Sequence, residues 1–134
     1  GVSMTVPRKL RYTTTHEWVR TEGDLVTVGI TDYAQEQLSD ITYVELPKPN
    51  DVVSAQEEIA VIESVKAAAD VCAPVDGTVV EVNEALLEHP ELINSDPYEA
   101  GWIFKLRPDD RGDIDTLFDA ERYEELLPDE ESGP

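Results

Sequence analysis

The spacing of β-branched runs constrains this chain more than any other feature. From Leu10 to about Leu106, short apolar or alternating stretches recur, each closed by a turn signal. His16-Glu17-Trp18-Val19-Arg20 alternates and stops at Glu22-Gly23-Asp24, a hairpin-type turn. Leu25–Ile30, Ile41–Leu46, Ile59–Ile62, Ala69–Ala73, Thr78–Val82 and Trp102–Leu106 read as further strands. Pro47-Lys48-Pro49-Asn50 and Pro74-Val75-Asp76-Gly77 punctuate them, with Gly77 expected at positive φ. Two short helices interrupt the series. One is Asp32–Leu38, capped by Thr31 or Asp32; the other is Glu84–Glu88, capped by Asn83 and ended by Pro90. Many short strands at this spacing predict a mainly β sandwich or barrel.

After Pro108 the texture changes. Ile114, Leu117 and Phe118 share one helical face, and Tyr123, Leu126 and Leu127 another. They predict two short helices, about residues 113–127, covering a sheet edge. Gly1–Ser3 reads as an expression scar before Met4 as natural start, and residues 128–134 as an acidic tail, so one domain spans residues 4–127. The last quarter, from Asp109, holds eleven acids and two bases, and so carries −9 of the chain's net −20. A surface with 30 acids against 10 bases repels phosphate backbones and anionic membranes, so neither nucleic acid nor membrane is an expected partner. It attracts proteins with basic docking faces. No 18-residue apolar run is present, and GVSMTVPRKLRY lacks the apolar core of a secretory signal. The lone Cys72 excludes an internal disulfide and fits a reducing compartment. With only His16 and His89 beside it, no metal site is expected. Cys72 itself reads as a small buried hydrophobe.

The segment that carries chemistry is Glu57–Pro74. Two strand-like runs flank a short connection with Lys66 near its tip, one of only four lysines. Its neighbours Val65, Ala67 and Ala68 are small and apolar, where a tip facing only water would carry Gly, Asn, Asp or Ser. Such neighbours let a large enzyme surface approach the amine. Nothing nearby in the sequence supplies the second cation or deep pocket that an amine nucleophile requires, so Lys66 reads as a handle rather than a catalyst. An ordinary lysine at a hairpin end is the competing reading on spacing alone. A second function class, a small acidic hydrolase, rests on carboxylate pairs such as Glu57/Glu58 or Asp109/Asp110. Adjacent residues on a strand face opposite ways, so neither pair forms an obvious acid–base site. No catalytic residue is assigned.

Glu63-Ser64-Val65-Lys66-Ala67-Ala68-Ala69-Asp70 closely resembles the lipoyl-lysine hairpin of the glycine cleavage system H proteins. The resemblance runs in register over roughly residues 10–127. It takes in Tyr12…His16-Glu17-Trp18-Val19, Val28–Gln35 and Val44-Glu45-Leu46-Pro47 before the hairpin. After it come Ala73-Pro74-Val75…Gly77, Val80–Asn83, Pro90–Asn94 and Pro97-Tyr98…Gly101-Trp102. Biotin carriers place methionine beside the lysine, and 2-oxoacid dehydrogenase lipoyl domains place aspartate before it. This chain has Val65 and Ala67 there. It departs from the family at Ala69, where serine is usual, and at Asn50, where many members have glycine. Asn tolerates the left-handed conformation such a turn needs.

The resemblance implies a barrel-sandwich hybrid of two small antiparallel sheets with short helices and a helical C-terminal segment. It implies lipoic acid amide-linked to Lys66 and a non-catalytic shuttle; Met4 read as natural start favours a cytoplasmic (bacterial) protein over one of the mitochondrial matrix, since a cleaved transit peptide would rarely leave it. The implied cargo is the aminomethyl group of glycine. It passes from a pyridoxal-phosphate glycine decarboxylase to a tetrahydrofolate-dependent aminomethyltransferase, after which dihydrolipoamide dehydrogenase (FAD, NAD) reoxidises the arm. A lipoyl-attaching enzyme is the fourth implied partner, reading Glu63, Ser64, Val65 and Ala67. A relay that donates lipoyl groups to other complexes is an alternative. The loaded arm is cationic and water-sensitive, so a shielding cleft with carboxylates suits it. Resemblance points to Thr15, Glu17 and Asp70 for that cleft. The competing readings are a solvated strand carboxylate for Glu17 and a strand-end surface charge for Asp70. Trp18 and Trp102 read as core anchors, Gly29 as packing or bulge geometry, and His16 as a satisfied structural histidine.

Overall fold

Residues 6–128 are described by the computed structural model; the residues read as a scar, Met4 and the expected acidic tail beyond Pro128 lie outside them. The chain runs β1 (Arg11–Tyr12), β2 (Glu17–Glu22), β3 (Leu25–Ile30), α1 (Asp32–Leu38), β4 (Ile41–Glu45) and β5 (Val52–Val53). It continues through β6 (Glu58–Ser64), β7 (Ala68–Cys72), β8 (Gly77–Val82), α2 (Ala85–Glu88), α3 (Leu92–Ser95) and β9 (Phe104–Pro108). A 3-10 turn (Arg111–Thr116) and α4 (Ala120–Leu126) follow. A six-stranded sheet has the order β1-β2-β3-β9-β8-β5, and a three-stranded sheet the order β4-β6-β7. Every pairing is antiparallel. This is the mainly β architecture with short helices that the strand spacing predicts.

The alternation within strands divides the core. Val19, Val28, Ile62, Val71, Phe104 and Leu106 are buried between the sheets. Each such side chain contributes about 1.5–3 kcal/mol of transfer free energy. The opposite face of β1–β2–β3 is buried too, because Tyr12 and Trp18 lie under Ala120 and Tyr123 of α4. Gly29 pairs with Trp18, and a Cβ on Gly29 would stand 2.7 Å from the indole. Glycine there is packing geometry. Trp18 Nε1 donates to Pro97 O at 2.9 Å, so it is a core anchor with its polar handle satisfied. Trp102 is only half-buried, with the Lys105 ammonium 5.3 Å from its ring centroid. Thr31, not Asp32, is the side-chain cap of α1, accepting from the Ala34 N–H at 3.2 Å.

The C-terminal segment covers a sheet edge as expected. Phe118 and Tyr12 exchange backbone hydrogen bonds of 2.8 and 2.9 Å, so residue 118 pairs with the edge strand β1. Asp119 then caps α4 through the Arg122 N–H at 2.8 Å. The first of the two expected helices is the 3-10 turn.

Two expectations are corrected. Gly77 is not at positive φ; Gly23 is the described glycine that is, with φ 63°. Glycine is required at residue 77 because a Cβ would lie 2.5 Å from Arg107 O on the neighbouring strand. The Asn83 side chain does not cap α2 but donates to Ala100 O and Trp102 O at 2.9 and 2.7 Å, tying the α3–β9 connection to the end of β8. α2 stops before Pro90 as expected, and a second helical turn, α3, follows it. Asn50 does adopt the left-handed conformation, with φ 77°.

Candidate functional site: a lysine tip and a carboxylate cavity

Lys66 occupies the tip of the β6–β7 hairpin and is exposed. The tip is organised by Ser64. Its N–H donates to Ala67 O at 2.8 Å, while its Oγ accepts from the Lys66 and Ala67 N–H groups at 3.1 and 3.0 Å. One hydroxyl thus replaces the backbone acceptor a tight turn normally uses. The Val65 N–H donates to Asp40 O at 3.1 Å, which braces the tip against the α1–β4 connection. Val65 is 71% exposed and Ala67 is also exposed, so no bulky neighbour shields the amine. Glu63 is exposed on β6, paired with Ala68.

A cavity of about 430 Å³ opens at one end of the sandwich. Thr13, Thr15 and Glu17 line it from the β1–β2 hairpin, Gln56 and Cys72 from the smaller sheet's side, and Phe118 from the C-terminal segment. Glu17 is 1% exposed. A solvated strand carboxylate is therefore excluded. Its Oε1 accepts from the Thr13 and Thr15 hydroxyls, both at 2.5 Å, and its Oε2 from the Cys72 N–H at 3.1 Å. A carboxylate of the larger sheet thereby binds the end of β7 in the smaller one. Three donors on one carboxylate compensate for its removal from water.

The structure brings Thr15 and Glu17 together, with Thr15 at the exposed rim. Asp70 is exposed on β7 and is not among the residues lining the cavity. By strand alternation it shares one face of β7 with Ala68 and Cys72. That face runs from the lysine tip to the cavity. Cys72 is half-buried and lines the cavity rather than sitting in the core. Burial first, and the Glu17 charge second, push its thiol pKa up, so it is not an activated nucleophile.

Sequence reading assigns none of Gln56, Cys72, Thr13 and residues 116–118 to the site; Cys72, Leu117 and Phe118 stand out there only as apolar positions. Gln56 alone carries a local oddity, φ 71°, which no sequence signal announces. One member of each carboxylate pair considered for hydrolysis serves as a turn cap. Glu57 accepts from the Ser54 N–H and Asp110 from the Gly112 N–H. Among the described residues no group of His, Cys, Asp and Glu is placed to hold a metal ion, and no helix is long and apolar enough to cross a membrane.

The family model for the glycine cleavage H-protein matches residues 10–130. A glycine cleavage system H protein of Thermus thermophilus is 58% identical over 124 residues, 92% of this chain and 97% of its own. That of Psychrobacter sp. (strain PRwf-1) is 55% identical over 123 residues, 91% of this chain and 98% of its own. A crystal structure of a glycine cleavage system H protein from Mycobacterium marinum superposes with a TM-score of 0.80 at 39% identity, covering 88% of this chain and 95% of that one.

Proposed function

The chain belongs to the glycine cleavage H-protein family, a carrier component and not a catalyst, and on that premise we propose that it bears its lipoyl group on Lys66. The observation that carries this reading is the exposed lysine at a braced hairpin tip between small residues. Three features suit the group. The amine stands clear of the body, a strand face leads from it past Ala68 and Asp70, and a cavity with a buried carboxylate lies at that face's far end. When bound, the dithiolane supplies the chemistry of accepting the aminomethyl group of glycine and releasing it to the one-carbon acceptor.

The chain's own residues bind, orient and exclude water. Glu17 presents negative charge that complements the cargo's ammonium. Thr13 and Thr15 keep that carboxylate in one orientation, and Phe118 and the backbone before it limit access of water from the C-terminal side. Asp70, on the face between tip and cavity, adds a second carboxylate along the arm's path. Glu63 and Val65 with Ala67 form the surface a lipoyl-attaching enzyme reads, and Ser64 holds that surface in shape. The partners of this reading are glycine decarboxylase, the aminomethyltransferase, dihydrolipoamide dehydrogenase and the lipoyl-attaching enzyme. All would act on a single carrier domain of residues 4–127 in the bacterial cytoplasm.

Intact-mass measurement with peptide mapping of protein isolated from a lipoylating host tests the proposal. The expected result is one lipoyl amide on the peptide that contains Lys66. Lipoyl mass on Lys48, or none after incubation with a lipoyl-attaching enzyme, would overturn it.

A further inference from the structure

We propose that Tyr123, on the C-terminal helix, is a positioning residue for the Glu17 carboxylate and acts on it through His16. Thr14, Thr15 and His16 form the three-residue loop of the β1–β2 hairpin, closed by the His16 N–H donating to Thr13 O at 3.2 Å. The last residue of such a loop takes the left-handed conformation, normally supplied by Gly or Asn. Here it is His16, at φ 72°. A histidine there costs conformational energy that glycine would not, so what it offers is its ring.

That ring is anchored from the far end of the chain. Its Nδ1 lies 2.8 Å from the Tyr123 hydroxyl, and that hydroxyl lies 2.7 Å from the Thr31 hydroxyl. The His16 carbonyl in turn accepts from the Thr31 N–H at 3.0 Å. Burial lowers the pKa of His16 and so favours the neutral ring, whose Nε2–H tautomer presents Nδ1 as an acceptor. A relay in which Thr31 donates to Tyr123, and Tyr123 to the Nε2–H tautomer of His16, satisfies each hydroxyl as a donor. Tyr123 is fully buried and stacks on Tyr12 with ring centroids 4.6 Å apart, so the anchor itself is rigid.

His16 sits between the two residues that matter at the cavity. Thr15 precedes it and donates to Glu17 Oε1, and Glu17 follows it. Any rotation of the backbone at His16 separates that donor from that acceptor and loosens the bond from the Cys72 N–H to Oε2. The C-terminal segment therefore supplies a wall of the cavity at Thr116–Phe118 and also the pin that orients its carboxylate.

The functional meaning of this device rests on the carrier reading, but its test does not. Amide hydrogen exchange at Cys72 is measured by NMR on the unmodified full chain, for wild type, Tyr123→Phe and His16→Asn. The amides of Ile62 and Val28 serve as core references. Asn keeps the left-handed loop and removes the ring, so it remains informative if Tyr123→Phe fails to fold. The expected result is exchange at Cys72 about tenfold faster in each variant with the references unchanged. Unchanged exchange at Cys72, or equal acceleration at all three amides, would overturn the proposal. Lipoyl mass on the Lys66 peptide separately tests the carrier reading.

Discussion

At the scale of single residues, two side chains bear most of the functional argument, and each makes a definite prediction. Glu17→Gln removes charge but keeps shape. The amide oxygen can still accept from the Cys72 N–H, and the threonine hydroxyls can turn to accept from the new NH2. Losing charge-assisted hydrogen bonds to a buried carboxylate costs about 1.5–3 kcal/mol. A modest fall in unfolding free energy by chemical denaturation is expected, together with normal lipoylation. Loaded Glu17→Gln protein should also lose its cargo faster than wild type, followed by mass with no transferase present. Equal lifetimes would leave Glu17 a purely structural link between the sheets. Lys66→Arg keeps the charge and the exposed tip, but a guanidinium does not readily form the amide. The variant should melt like wild type and stay at unmodified mass; a lipoyl adduct on it would place the attachment elsewhere.

At the scale of elements, close approach and burial decide what each can tolerate. On β8, Gly77→Ala puts a methyl 2.5 Å from the Arg107 carbonyl, and the strands must part to admit it. Overpacking of this kind costs about 1–3 kcal/mol, read as a lower denaturant midpoint with an unchanged slope. The β1–α4 contact sets a pH limit. Burial raises the pKa values of Tyr12 and Tyr98, and pushes Tyr123 from 10.0 up to about 12. A raised folded pKa means that the unfolded chain gives up these protons first. Their contribution is therefore intact below pH 10 and is lost as pH climbs from 10 towards 12. Thermal melts should fall steeply over that window. Tyr123→Phe should reduce the slope, and an equally steep fall in that variant would count against Tyr123 as a source.

At the scale of the whole molecule, net charge sets the behaviour. A net charge of −20 on 134 residues repels itself, and a Debye length of about 10 Å at 0.1 M salt screens much of that repulsion. Added sodium chloride up to about 0.5 M should raise the melting temperature. The same addition should slow association with a partner that presents a basic face. A melting temperature that falls with salt would mean that the surface ion pairs, such as Arg8–Glu124 at 2.6 Å, outweigh the repulsion.

The sequence by itself determined the seven longer strands, because alternation and β-branching are local properties, whereas the two-residue strands β1 and β5 exist only as pairings with β2 and β8. β3 and α1 fall where the pattern of Leu25–Leu38 puts them, and Lys66 stands out because its neighbours are the wrong kind for a solvent-facing turn. Only the tertiary structure decided which polar residues meet. Gly77 looked like a turn residue, yet its requirement comes from a carbonyl thirty residues later. Asn83 looked like a helix cap, yet its amide is used by the connection before β9. Cys72 and Phe118 became cavity walls through pairings that no local window contains. Glu17 could be either a solvated charge or a buried one on pattern alone. The donors that make its burial tolerable lie four residues back, two residues back and fifty-five residues ahead, and only folding brings the last of them within 3.1 Å.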